Sequence, residues 1–283
     1  MEFAGDIRET ASVGIFRKAF TADPGRAEGH GAADLSRGRL DRSSQTEAPF
    51  EQAVVLSSDH GEAHLVMGAA YCELGLYPKA IAAFKRAIEL NSDCDEAYFA
   101  MGGAYRQLDR NTEALKAYRQ AVAINPDHAE AHAGMGYILA EIEQHSDAVA
   151  AFEQAVAIRP DCADAHYGLG VMRRRLGESA AAAAAFERVV ALQPNDASAH
   201  ISIGLAYDDL SRRRRAVEAY RRALDIAPDY AIAYYFMAQS HEASGDLTEA
   251  LGAYQECLRI EPSGRRSDSV REAIAELRWR IAC

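Results

Sequence analysis

Apolar and small residues recur at helical spacing, in two stripes parted by a short break. Ala63, Met67, Ala70 and Leu74 form one stripe; Ala80, Ile81, Phe84, Ala87, Ile88 and Leu90 form the next. Spacings of three and four put each set on one face of a helix. Gly75 falls in the break, as Gly177 and Gly245 do farther along. The pattern predicts two helices joined by a tight turn, and it repeats. Pro126, Pro160, Pro194, Pro228 and Pro262 stand 34 residues apart each time. With proline at place 32, the units are 61–94, 95–128, 129–162, 163–196, 197–230 and 231–264; Ser92 takes the proline place in the first.

Other places agree with this register. Place 3 is alanine in all six units, from Ala63 to Ala233. Place 8 is Gly68, Gly102, Gly136, Gly170, Gly204 and Ala238. Place 20 is alanine throughout, and place 24 is a ring: Phe84, Tyr118, Phe152, Phe186, Tyr220, Tyr254. The small residues let two helices approach, and the ring fills the space between them. Proline cannot continue the second helix, and Asp127, Asp161 or Asp229 after it suits a turn. One hairpin cannot bury both of its faces, so the units must stack.

These positions resemble the tetratricopeptide repeat family, over residues 61–264. The resemblance implies an all-α, right-handed α-solenoid of stacked antiparallel helix pairs. Residues 265–283 read as a C-terminal capping helix, with Ser269-x-x-Glu272 as a capping box and Val270, Ile274, Leu277 and Ile281 on the inner face. Trp279 points away from that stripe, a candidate end contact for a partner or a second copy. Residues 1–60 read as degenerate N-terminal units of the same kind, with His30, Phe50 and Ala53 in register; a flexible segment with two short helices is the alternative.

The resemblance also implies a concave groove lined by places 2, 5, 9, 12 and 13 of the first helices. Here it would comprise Glu62, Leu65, Glu96, Phe99, Glu130, Tyr137, Asp164, Tyr167, Val171, Ile201, Leu205 and Tyr235. That surface is apolar and aromatic with an acidic edge, suited to a peptide or helix with basic flanks; packing of the same rings between helices is the alternative. The Lys/Arg/Asn carboxylate clamp of the family's chaperone-binding arrays is missing. So is the place-6 asparagine ladder of its O-linked N-acetylglucosamine transferase arrays: place 6 reads Val66, Ala100, Gly134, Gly168, Ser202, Phe236.

Charge narrows the partners. The 283 residues carry 31 basic and 42 acidic groups, a net charge of −11, which disfavours nucleic acid as the main ligand. The exceptions are Arg173, Arg174, Arg175 and Arg212, Arg213, Arg214, Arg215. They read either as a basic patch for an acidic partner, phosphate or RNA, or as a solvated rim paired with Asp208, Asp209 and Glu178. His30, His64, His132, His166 and His200 all fall at place 4; with no completing ligands they read as packing residues, and no metal is expected. Five cysteines without a C-x-x-C pair argue against disulfides and zinc. The start MEFAGDIRET does not read as a cleaved leader, and no run is apolar enough to span a bilayer, so the expected location is cytoplasmic. No phosphate loop, G-x-S-x-G or H-E-x-x-H occurs, and no cofactor or catalytic residue is expected. The leading expectation is a non-catalytic scaffold or adaptor for protein partners, with self-association through an end. The alternatives are RNA or phosphate binding on the arginine rim, and an accessory subunit of a larger enzyme or envelope complex.

Overall fold

The structure, a computed structural model, describes residues 61–283. The degenerate units expected over residues 1–60 lie outside the described residues. Among the described residues there are thirteen α-helices and no strand. The described residues divide into two compact units, one up to Ile142 and the other Glu143–Cys283.

The first unit holds α1 (Gly61–Glu73), α2 (Tyr77–Leu90), α3 (Asp95–Gln107), α4 (Asn111–Ile124) and α5 (Ala129–Glu141). Each packs on the next, and α3 also touches both α1 and α5. The second unit holds α6 (His145–Ile158), α7 (Ala163–Arg175), α8 (Ser179–Leu192), α9 (Ala197–Asp209), α10 (Arg213–Ile226), α11 (Ala231–Ser244), α12 (Leu247–Ile260) and α13 (Ser267–Ala282). Here too neighbours pack in sequence, and α9 touches α7 and α11. In both units the odd-numbered helices therefore lie side by side.

The tight turns after the odd helices share one geometry. The amide of Leu76 donates to Tyr71 O at 2.8 Å and that of Gly75 to Cys72 O at 3.0 Å. This is a Schellman closure, which puts one residue in the left-handed region. Gly75, Gly177 and Gly245 take that position with φ of 73°, 79° and 84°. Asp109, Glu143 and Ser211 take it at φ of 56°, 62° and 57°, a conformation their Cβ atoms resist. Pro126, Pro160, Pro194, Pro228 and Pro262 all fall in non-helical turns after the even helices.

The place-24 rings form the spine of the packing. Phe84, Phe152, Phe186 and Tyr220 are fully buried, flanked by buried alanines such as Ala80 and Ala216. Burying such a ring contributes about 2–3 kcal/mol. A Cβ on Gly102 would sit 2.7 Å from the Tyr118 ring, and one on Gly170 2.6 Å from Phe186. Gly134 faces the other side of Tyr118 at 2.7 Å. One ring thus lies between an odd helix of its own hairpin and the next odd helix, with a glycine on each side.

Three local expectations are corrected. Leu90 and Ile226 of the second stripe, and Ile142 and Leu176 at the ends of odd helices, are exposed. The final helix begins at Ser267, so Ser269 does not cap it; its hydroxyl donates to Arg266 O at 2.9 Å. Val270, Ile274 and Leu277 are buried, but Ile281 is 45% exposed because the helix runs past its support.

Candidate functional site

The odd helices of each unit carry the residues expected to line the groove. In the first unit Glu62 and Glu130 are exposed, Glu96 and Phe99 half-buried, and Leu65 buried. The Phe99 ring lies 4.8 Å from His128 and 5.8 Å from Tyr118. Tyr137 is half-buried with the Arg106 guanidinium 5.2 Å over its face. Arg106 also pairs with Glu141 at 2.9 Å, tying α3 to α5. Both rings are partly exposed.

In the second unit Asp164 is exposed, Tyr167, Val171, Leu205 and Tyr235 are half-buried, and Ile201 is buried between helices. A line of hydroxyls crosses this face. Ser202 Oγ donates to Ser198 O at 2.9 Å and meets Tyr167 Oη at 3.1 Å. Its proton is committed to the carbonyl, so Tyr167 donates to it. Burial, the largest cause, pushes the Tyr167 hydroxyl above its usual range. Ser198 Oγ and Tyr230 Oη are 3.2 Å apart. Tyr235 accepts from Gln239 at 3.0 Å, and Arg266 lies 5.4 Å over its ring.

Three of the place-4 histidines share one task. Nε2 of His132, His166 and His200 lies 3.0, 3.0 and 3.3 Å from the carbonyl oxygens of Pro126, Pro160 and Pro194. A carbonyl only accepts, so each Nε2 carries the proton. The histidine pins the turn before its helix. Among the described residues no three His, Cys, Asp or Glu side chains gather as metal ligands.

The arginine runs both lie in the second unit. Arg173 pairs with Glu153, and with Glu178 at 3.6 Å. Arg174 grips Asp209 with two bonds, 2.6 and 3.3 Å, tying α7 to α9 as Arg106 ties α3 to α5. Arg213 bonds the carbonyl and carboxylate of Asp208 at 2.7 and 3.0 Å. Arg215 lies 5.6 Å over the Tyr207 ring. Arg175, Arg212 and Arg214 are exposed. At the end of the chain Trp279 is 68% exposed, while Arg280 beside it bonds Glu242 at 2.9 Å.

Sequence reasoning missed a buried polar junction centred on Asp208. Its Oδ2 accepts from Tyr220 at 2.8 Å and from Ser240 at 2.6 Å. Tyr220 and Ser240 are themselves almost fully buried. Burial first, then the Asp208 charge, holds the Tyr220 hydroxyl far above its ordinary value. Glu242 stands in the same relation to Tyr254, at 3.4 Å. The signal was present: in these two repeats a carboxylate precedes a place-24 tyrosine by twelve residues.

Two family models match the chain. One, described as tetratricopeptide repeat, covers residues 133–197 and 201–265. The other, described as TPR repeat, covers 68–108 and 102–143. No match was found among curated proteins. Among solved structures the chain is similar to MamA, with 27% identity and TM-score 0.56 over 57% of this chain and 95% of that one. It is similar to YrrB, described as a TPR protein with an unusual peptide-binding site, with 22% identity and TM-score 0.63 over 68% and 99%. It is also similar to PilF of Pseudomonas aeruginosa, with 17% identity and TM-score 0.63 over 75% and 96%.

Proposed function

The chain belongs to the tetratricopeptide repeat family and folds as an all-α solenoid of helix pairs, and on that premise we propose that it is a non-catalytic scaffold that binds protein partners on the faces of its odd helices. The reading divides residues 61–264 into six 34-residue repeats, with α13 as the C-terminal cap and residues 1–60 as degenerate units. The observation that carries it is the pair of half-exposed rings, Phe99 and Tyr137, flanked by Glu62, Glu96 and Glu130. Half-exposed aromatics offer large contact area at little entropic cost, and the carboxylates favour a peptide or helix with basic flanks. The peptide-binding site in the description of YrrB supports the same use of this fold. In the second unit Tyr167, Val171, Leu205 and Tyr235 would take part, with Leu65 and Ile201 supporting from beneath. Exposed Trp279 fits self-association through the end of the chain. No helix among the described residues is long and apolar enough to cross a membrane, and we place the protein in the cytoplasm.

The test is capture of partners by the full chain against two variants. Phe99→Ala/Tyr137→Ala removes the anchors; Glu62→Lys/Glu130→Lys reverses exposed charges and gives up the Glu130–His128 contact at 3.3 Å. Loss of the same partner with both, at unchanged helicity, is expected. Retained capture with the charge reversal would sink the acidic-edge reading, and retained capture with both the whole proposal.

A further inference from the structure

We propose that the arginine edge of the second unit is a separate docking surface for a carboxylate-rich protein segment. The Arg174–Asp209 pair holds the C-terminal end of α7 against that of α9. Arg175 ends α7, and Arg212 to Arg214 follow α9 at once. The two runs therefore share one edge of the unit. On that edge Arg173, Arg174 and Arg213 are held by Glu153, Glu178, Asp209 and Asp208. Arg175, Arg212 and Arg214 remain exposed to solvent.

The placement of Arg212 and Arg214 runs against the local electrostatics, whereas Arg175 suits the C-terminal end of α7. Arg212 is the N-cap of α10, Arg213, Arg214 and Arg215 follow, and no acidic residue stands in the first turn. Most other helices of the unit, α6, α7, α12 and α13, carry an acid there. Cations at a helix N-terminus are unfavourable. A local choice that opposes its own helix, with only part of it repaired by Asp208, marks residues kept for something outside the helix.

The chemistry of the edge points to carboxylates. The guanidinium fork matches them in two-bond geometry, as Arg174 shows on Asp209. Phosphate backbones are less suited, because Asp208, Asp209 and Glu178 interleave with the arginines and the chain is at −11 overall. A short acidic segment can thread between those carboxylates and reach one guanidinium at a time. This surface prefers the charge opposite to that proposed for the odd-helix faces and does not depend on them, so one chain would hold two unlike partners.

The experiment uses the full chain and a fluorescein-labelled decapeptide of alternating Glu and Ser, followed by anisotropy at low and at high salt. Saturable binding that weakens with salt is expected. Arg175→Gln/Arg212→Gln/Arg214→Gln weakens it by about tenfold or more. Arg119→Gln/Arg221→Gln/Arg278→Gln, an equal charge change at exposed positions elsewhere, leaves it within about twofold. Phe99→Ala/Tyr137→Ala leaves it unchanged. No saturable binding at low salt overturns the proposal, as does an equal loss in both arginine triples. A single-stranded RNA of equal charge that binds more tightly, and is lost with the first triple, overturns it in favour of nucleic acid.

Discussion

Tyr118 in the first unit and Tyr220 in the second occupy the same kind of slot, each ring pressed against a glycine of the odd helix before it. Their surroundings differ at the hydroxyl. Across from Tyr118 stands Arg106, committed to Glu141 and to the Tyr137 face. Across from Tyr220 stands Asp208, which accepts the tyrosine proton and also reaches Ser240 on α11. Packing fixes where a ring sits in both units. Only in the second does a half-buried carboxylate convert that position into a directional tie from α9 through α10 to α11. Glu242 repeats the device between Tyr254 and Arg280.

The largest expected effect breaks that tie. Asp208→Ala leaves two buried hydroxyls without an acceptor and leaves Arg213 only the residue 208 carbonyl, for a cost of about 3 kcal/mol. Hydrogen exchange should show protection lost in α9–α11 and kept in α1–α5; uniform loss would refute the contrast between units. Adding Tyr220→Phe removes one orphaned hydroxyl and should restore about 1 kcal/mol. Gly102→Ala in the first unit and Gly170→Ala in the second come next. Each forces a methyl against a ring and should cost about 2 kcal/mol in urea melts. Equal costs would show the packing is common to both units; a large inequality would show that it is not.

Alkaline pH sharpens the contrast. Burial pushes Tyr118 up to about 12, and raises Tyr167, Tyr220 and Tyr254 above their ordinary range. A raised tyrosine keeps its proton in the folded chain after the unfolded chain has lost it. Its stabilising contribution is full below about pH 10 and is lost as pH rises through the folded value, at up to about 1.4 kcal/mol per pH unit. The second unit holds four raised tyrosines, Tyr207 included, and the raised thiol of Cys257, against Tyr118, Cys72 and Cys94 in the first, so the second unit should lose more protection on going above pH 10. Greater loss in the first unit would count against the tyrosine account.

The proline ladder and the Gly–Ala–ring pattern were legible in the sequence because each rests on a narrow steric demand: proline cannot continue the helix before it, and no larger side chain fits where Gly102 or Gly134 meets Tyr118. The faces of the odd helices were legible as far as spacing reaches. Phe99 and Tyr167 are half-exposed, but Leu65 and Ile201, at the same place, are buried, since depth depends on the neighbouring helices. The line from Tyr167 to Tyr230 joins place 5 of one repeat to places 6, 2 and 34 of the next and has no signature along the chain. The Asp208 junction needed two places read together, and only in repeats whose ring carries a hydroxyl.

The turns after the odd helices give the smallest effect. Glycine marks three of them, and Asp109, Glu143 and Ser211 stand in the others. The structure gives Asp109 and Ser211 the same left-handed backbone as Gly75. A side chain there costs about 1 kcal/mol, and the looser unfolded state of a glycine variant takes back part of any gain. Ser211→Gly should therefore stabilise the second unit by about 0.5 kcal/mol. Asp109→Gly should stabilise the first by less, because aspartate tolerates this region better than most side chains. The backbone bond from the Ser211 amide to Asp208 O, 2.8 Å, survives either way. Thermal melts of the two variants, singly and together, give the comparison. A loss of stability with Ser211→Gly would mean that the serine side chain supports the Asp208 junction, and that the tie in the second unit begins in its turn.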